Sequence, residues 1–321
     1  MRIADQTMGR LNTPFSRSLM PQPFRKETGD GAVVVTRSGS VYKLDGLLGV
    51  GGLSVVYLAT RYADKSTVAL KVPNLTAKQD GDALALLLRE SRILSKLDHP
   101  SIIRLVEHGY TTANEPFLVT DWVRAQTLDL LLFANQRFLP LRRAAEITLK
   151  MAAALEHAHS RGVIHRDIKP ENVMVSTVNS CDTITLFDFG IATDSKDDLL
   201  DSGSLFYCSP EQLQREPCTE RSDVYQLALV LLQMLIGDLP FERSVIGAIR
   251  YRQGSTPLVP PDDELGATPL PPSLRDFLQR CLSPIPDERP CSMNVFAYEL
   301  RQTLLKLRLS RLRLETLAVP A

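Results

Sequence analysis

The stretch Val163-Ile164-His165-Arg166-Asp167-Ile168-Lys169-Pro170-Glu171-Asn172 constrains this chain more than any other. It sets a base, two cations and a side-chain amide between an amphipathic run and an apolar, strand-like run. Asp167 is placed to take a proton from a hydroxyl or to orient it. Lys169 can neutralise charge on a phosphoryl group. Asn172 offers a carbonyl oxygen of the kind a hard divalent cation prefers. Taken alone, the stretch also describes a capped loop with solvated charges. A second element supports the chemical reading: Asp188-Phe189-Gly190 closes the apolar run Thr183-Ile184-Thr185-Leu186-Phe187.

Together the two stretches resemble the catalytic loop and metal-binding loop of protein kinases. The resemblance implies Asp167 as catalytic base, Asn172 and Asp188 as magnesium ligands, Lys169 on the transferred phosphate, and ATP with Mg2+ as cofactors. A lysine two residues after the aspartate resembles the serine/threonine-specific members.

Upstream, Val33 to Val72 alternates apolar and polar residues with glycines between runs, which predicts a strand meander. Within it lies Leu48-Gly49-Val50-Gly51-Gly52-Leu53-Ser54-Val55-Val56-Tyr57. A loop so free of side chains can fold over a triphosphate and offer backbone N–H groups to its oxygens. A plain hairpin turn is the simpler reading. The segment resembles the kinase glycine-rich loop, with Ser54 where a third glycine is expected. By the same resemblance Leu48 to Val56, Ala69 and Lys71 contact ATP, and Lys71 pairs with an acid on the next helix. Ala83 to Leu94 has helical composition with Leu86, Glu90 and Leu94 on one stripe, so Glu90 is the expected partner. Phe117 to Val123 reads as a strand running into a linker. The resemblance makes this the hinge, with Asp121 and Val123 offering backbone groups to adenine and Thr120 guarding the pocket. Trp122 is expected to pack structurally.

Ala144 to Arg161 is helical, and charge complementarity at a helix end accounts for His157 and His159. After Gly190 come a polar, acidic segment and then Ser204-Leu205-Phe206-Tyr207-Cys208-Ser209-Pro210-Glu211, which resembles the substrate-docking stretch of kinases. Thr193, Ser195 and Ser202 are the candidate phosphate acceptors, and Ser204 is expected to contact Asp167 and Lys169. Arg166 is the kind of residue that pairs with a phosphorylated activation segment. Asp194, Asp197, Asp198 and Asp201 offer negative charge without phosphate. Asp223 matches a buried acid bracing the catalytic loop, and Glu211 with Arg289 matches a structural ion pair. Gln226 and Ala228 stand where Ser and Gly are usual, and sequence gives no reason for Gln226.

The reading is therefore an α+β, two-lobed protein kinase resembling bacterial serine/threonine kinases: a β-rich small lobe with one helix and a mainly helical large lobe. Expected boundaries are a flexible extension at 1–31, the small lobe at 32–120, hinge and large lobe at 121–305, and a basic tail at 306–321. Two other classes compete. A scaffold that only binds nucleotide would usually lack Lys71, Asp167 or Asp188. A small-molecule phosphotransferase would lack the docking stretch. Lys and Arg together number 37, as do Asp and Glu, so net charge steers the chain toward neither nucleic acid nor anionic membrane. No apolar run reaches the ~20 residues of a membrane span; Leu227 to Ile236 reads as a buried helix. Five cysteines without metal-ligand spacing suit a reducing cytoplasm. Protein substrates, the chain itself among them, and a homodimer are further expectations of the resemblance.

Overall fold

A computed structural model describes residues 32–51, 54–74, 81–135, 137–189, 203–254, 257–261 and 269–317, with main chain only at 81–83, 203–204 and 310–317. The chain divides into two compact units. One comprises the residues up to Leu87 with Val106–Trp122; the other comprises Leu88–Leu105 and everything from Val123 onward.

In the first unit the alternating run becomes β1 (Val33–Val35), β2 (Val41–Val50), β3 (Ser54–Arg61) and β4 (Thr67–Pro73), joined by β5 (Leu105–Tyr110) and β6 (Pro116–Asp121). The sheet order is β1-β2-β3-β4-β6-β5. Successive side chains point to opposite faces of a strand. Val55, Tyr57 and Ala59 of β3 and Val68, Leu70 and Val72 of β4 therefore share one face, where they form a core with Tyr42 and Phe117. The opposite face follows from register, because cross-strand partners point the same way. Val56 pairs with Lys71, which pairs with Leu118; Leu58 pairs with Ala69, which pairs with Thr120. Strand β2 slips register at Leu44/Gly46 and at Leu47/Gly49, local irregularities of the kind that bend and twist a strand.

Helix α1 (Gly81–Leu94) buries Leu87, Glu90, Ser91 and Leu94, while Leu86 is only half-buried. Glu90 and Leu94 thus lie on the expected inward stripe, and only in the turn before them does Leu87 take the place expected of Leu86. Trp122 is 36% exposed.

The second unit contains α2 (Leu128–Ala134), α3 (Leu141–His159), α4 (Pro210–Gln214), α5 (Glu220–Ile236), α6 (Val245–Arg252), α7 (Pro272–Cys281) and α8 (Met293–Leu317). Helix α5 is buried continuously from Ser222 to Leu235, the environment an apolar-all-round helix requires. Helices α3, α7 and α8 pack on it. Thr219 caps its start reciprocally with Ser222, and Gly237, at φ 94°, turns the chain away at its end. Each buried Leu or Val along it contributes about 1.5–3 kcal/mol. A small sheet of order β7-β8-β9 lies in the same unit: β7 (Gln126–Thr127), β8 (Val173–Val178) and β9 (Cys181–Leu186). Asn179 and Ser180 join β8 to β9 with φ 50° and 61°, as a two-residue hairpin turn of the primed type requires. Helix α8 runs unbroken through Lys306, Arg308, Arg311 and Arg313. Among the described residues no helix is long and apolar enough to cross a membrane, and all five cysteines are free thiols.

Candidate active site

The loop between α3 and β8 is shaped by one buried acid. Arg166 has φ 67°, a left-handed conformation that L-residues adopt only when held there. Asp223, in the first turn of α5 and fully buried, does the holding. Its Oδ2 accepts from the His165 N–H at 2.9 Å and its Oδ1 from the Arg166 N–H at 2.8 Å. The same Oδ2 lies 2.7 Å from Nε2 of His159, at the end of α3. This revises the expectation for His159, which is a buried partner of Asp223 rather than a helix-end charge. Burial alone would push its imidazole down, but the hydrogen bond and charge of Asp223 prevail and raise it. His157 accepts from the Asp98 N–H at 3.1 Å, and burial lowers its pKa.

Held in this way, the loop presents Asp167 to its chemical neighbours. Lys169 Nζ lies 2.9 Å from Asp167 Oδ2. Asn172 Nδ2 donates to that same oxygen and to the Asp167 carbonyl, each at 2.9 Å. Two donors on Oδ2 leave Oδ1 to meet a hydroxyl. Donation through Nδ2 likewise leaves the Asn172 Oδ1 as an acceptor.

The hairpin sets what stands beside Asn172. Val173 pairs with Leu186, so the next step in register brings Asn172 to Phe187, whose N–H donates to the Asn172 carbonyl at 3.2 Å. Asp188 follows at φ 66°, and Phe189, fully buried, lies with its ring 4.5 Å from the buried ring of His165. Asn172 and Asp188 thus come to the same end of the hairpin. Among the described residues no three His, Cys, Asp or Glu side chains gather as a metal site. Asn172 and Asp188 are instead two residues whose side-chain oxygens could serve a magnesium ion, since that ion usually keeps several waters and takes only one or two protein ligands beside phosphate oxygens.

The stretch from Leu205 to Glu211, expected from the resemblance to dock substrate, is held by buried cations. Arg289 makes a bidentate pair with Glu211, at 2.8 and 2.9 Å, with both side chains buried. Burial works to raise the Glu211 carboxyl, but Arg289 outweighs it and lowers the pKa. Arg252, 3% exposed at the end of α6, donates to the carbonyls of Leu205 (3.1 Å), Phe206 (2.7 Å) and Cys208. Burial pushes the Cys208 thiol up to about 12, so it is no nucleophile. Tyr207 OH donates to Gln233 of α5 at 2.7 Å.

Gln226, unexplained by sequence, bonds to the loop itself: its Oε1 accepts from the Ile168 N–H at 3.0 Å. A glutamine at the start of the apolar part of the helix, three residues after Asp223 and so on the same side, is the signal that would have pointed to it. Arg252 offered no such signal, because its partners are main-chain carbonyls.

The remaining sequence-predicted residues fall as follows. Val56, Ala69, Lys71 and Thr120 share one face of the first unit's sheet, with Leu48, Gly49, Val50, Gly51, Ser54 and Val55 on β2, β3 and their junction. Asp121 ends β6, Val123 begins the second unit, and Glu90 is buried on α1. A Cβ on Gly49 would meet no atom of the described residues within 4 Å, so their packing does not require glycine there. Gly52, Leu53, Thr193, Ser195 and Ser202, with Asp194, Asp197, Asp198 and Asp201, lie outside the described residues. Ser204 is described only as main chain, in the 3-10 turn Gly203–Phe206.

With this geometry in place, comparison with known proteins identifies the family. Residues 42–300 match the family model of the protein kinase domain. The chain belongs to the protein kinase family. It is 35% identical to the serine/threonine-protein kinase pkn3 of Myxococcus xanthus over 81% of this chain and 49% of that protein. To the serine/threonine-protein kinase PknB of Mycolicibacterium smegmatis it is 33% identical, over 77% of this chain and 40% of that protein. It thus spans half or less of the length of these curated relatives. Its fold is that of kinase domains: the Mycobacterium tuberculosis PknI kinase domain superposes with a TM-score of 0.64 at 25% identity, covering 86% of this chain and 100% of that one.

Proposed function

We propose that this chain is an ATP-dependent serine/threonine protein kinase that transfers the γ-phosphate to protein hydroxyls, itself included, in signalling within the cytoplasm. The observation that carries the reading is the buried Asp167 carboxylate, with Lys169 and Asn172 both on Oδ2 and Oδ1 left for a substrate hydroxyl. In this role Asp167 orients the hydroxyl and takes its proton, and Lys169 stabilises the phosphoryl group as charge develops on it. Asn172 and Asp188 would hold Mg2+, which supplies charge neutralisation on the phosphates. Lys71 would fix the phosphates from the sheet face it shares with Val56 and Ala69, and the buried Glu90 would be its acid partner. The loop from Leu48 to Val56 would cover them, at the place where none of the described residues crowds Gly49. Asp121 and Val123 would receive adenine through their main chains, and Ser204 would help select the hydroxyl. Exposed free thiols at Cys181 and Cys291 favour a reducing compartment.

The test is transfer of labelled γ-phosphate from magnesium-ATP to a generic basic protein. Asp167→Asn should lower kcat by about 10²–10⁴-fold, the share a positioned base supplies, while leaving the melting temperature and ATP affinity in place. Equal activity in that variant would remove Asp167 from the mechanism. Absence of transfer by wild-type protein that still binds ATP would favour a scaffold.

A further inference from the structure

We propose that Gln226 is a positioning residue that couples the docking stretch to the catalytic aspartate, an inference that rests on the kinase reading above. Its amide makes three hydrogen bonds. Oε1 accepts from the Ile168 N–H at 3.0 Å, while Nε2 donates to the Arg166 carbonyl at 2.9 Å and to Gln212 Oε1 at 3.0 Å. The Arg166 carbonyl belongs to the peptide plane before Asp167, and the Ile168 N–H to the plane after it. One side chain therefore grips both planes flanking the catalytic carboxylate.

Helical spacing makes this an extension of the Asp223 brace. Residues three apart lie on one side of a helix, so Gln226 continues along α5 where Asp223 leaves off. Asp223 fixes the N–H groups of His165 and Arg166, and Gln226 fixes the N–H of Ile168.

The far end of the network is the docking stretch. Gln212 Nε2 donates to the same Arg166 carbonyl at 2.8 Å. Its Oε1 accepts from the N–H and Oγ of Ser209, at 2.9 and 3.1 Å. Ser209, Gln212 and Gln226 are all buried, at 0%, 8% and 1% exposure. Water therefore does not replace these bonds cheaply, and a bond broken at one end leaves its partner unsatisfied. A shift of Ser209 under a bound substrate passes through Gln212 to the carbonyl preceding Asp167.

The experiment uses the full chain with Gln226→Met, which keeps length and apolar bulk but makes no hydrogen bonds, alongside Gln212→Met and the double variant. Phosphotransfer to a generic basic protein, ATP KM, melting temperature and amide hydrogen exchange across 165–168 are measured. Gln226→Met should lower kcat by about tenfold, as the loss of buried bonds on both flanking planes implies, with ATP KM unchanged. The double variant should be no slower than Gln226→Met alone, because both residues act through one carbonyl. A kcat within about twofold of wild type, or losses that multiply in the double variant, would overturn the proposal. If Gln226→Met does not fold, Gln226→Glu decides: it keeps the acceptor for Ile168 but loses both donors, and an unchanged kcat would overturn the coupling. Should wild-type protein transfer no phosphate, the kinase reading fails separately. The coupling is then judged by exchange at Ile168, which Gln212→Met must accelerate if the docking stretch is linked to the loop.

Discussion

The catalytic loop and the docking stretch lie in the same unit, yet they are fixed by opposite means. The loop turns mainly N–H groups inward, and α5 answers with the carboxylate of Asp223 and the amide oxygen of Gln226; the inward carbonyl of Arg166 takes the amide donors of Gln226 and Gln212. The docking stretch turns carbonyls and a carboxylate inward, and these meet two buried guanidinium groups, Arg252 and Arg289. The difference follows from local conformation. A left-handed Arg166 presents successive N–H groups to one acid, whereas the turn at Gly203–Phe206 and the residues after it leave carbonyls that only a forked donor can satisfy together. Planar guanidinium suits this because it reaches several oxygens without adjusting.

Breaking the cationic side should cost most at Arg289. Arg289→Met strands the Glu211 carboxylate in the interior and should destabilise the protein by about 3–5 kcal/mol, read from urea unfolding. Replacing both partners by apolar residues of similar volume should return most of that loss. If it does not, the pair holds more than its own charges. Arg252→Met should cost less, about 1–3 kcal/mol, since neutral carbonyls are left unpaired rather than an ion. Its diagnostic effect is a raised KM for protein substrate with ATP KM unchanged, and an unaltered protein KM would separate Arg252 from docking.

A pH series sharpens the contrast further. Glu211 is lowered from its ordinary value of 4.5, so its contribution is full above that value and lost as pH falls through the lower folded value. His159 is raised from 6.5, so its contribution is full below that value and lost as pH rises through the higher folded value. The stability gap between wild type and Glu211→Gln should therefore close on the acid side, and that for His159→Gln on the neutral-to-alkaline side. Gaps that stay parallel across both ranges would mean that neither group titrates as its surroundings dictate.

The legibility of these parts in the sequence tracks how local they are. Asp167, Lys169 and Asn172 fall within one short stretch, so their meeting was readable from spacing and residue type alone. The strand meander is legible from alternation and the helices from periodicity, whereas the two-lobed architecture is implied only by the resemblance. The link between Glu211 and Arg289, 78 residues apart, came only through resemblance. Helix-end charge does not describe His159, because its partner, 64 residues away, is the same acid that binds the loop. Gln226 and Arg252 went unread because their partners are largely main-chain groups, which carry no residue-type signature. On the inward stripe of α1, Glu90 and Leu94 are as the spacing predicts, but Leu87 replaces Leu86, because the two are equally apolar and only packing distinguishes them.

The turn at Asn179–Ser180 carries a consequence for engineering. Both residues sit in the left-handed region, where asparagine is tolerated but serine is strained by its Cβ. Glycine at the second position would relieve that strain, so Ser180→Gly should add about 1 kcal/mol to stability, seen as a higher melting temperature. The turn lies a full strand length, roughly 20 Å, from Asn172. Stability can thus be designed in at one end of the hairpin while the chemistry at the other end keeps its geometry.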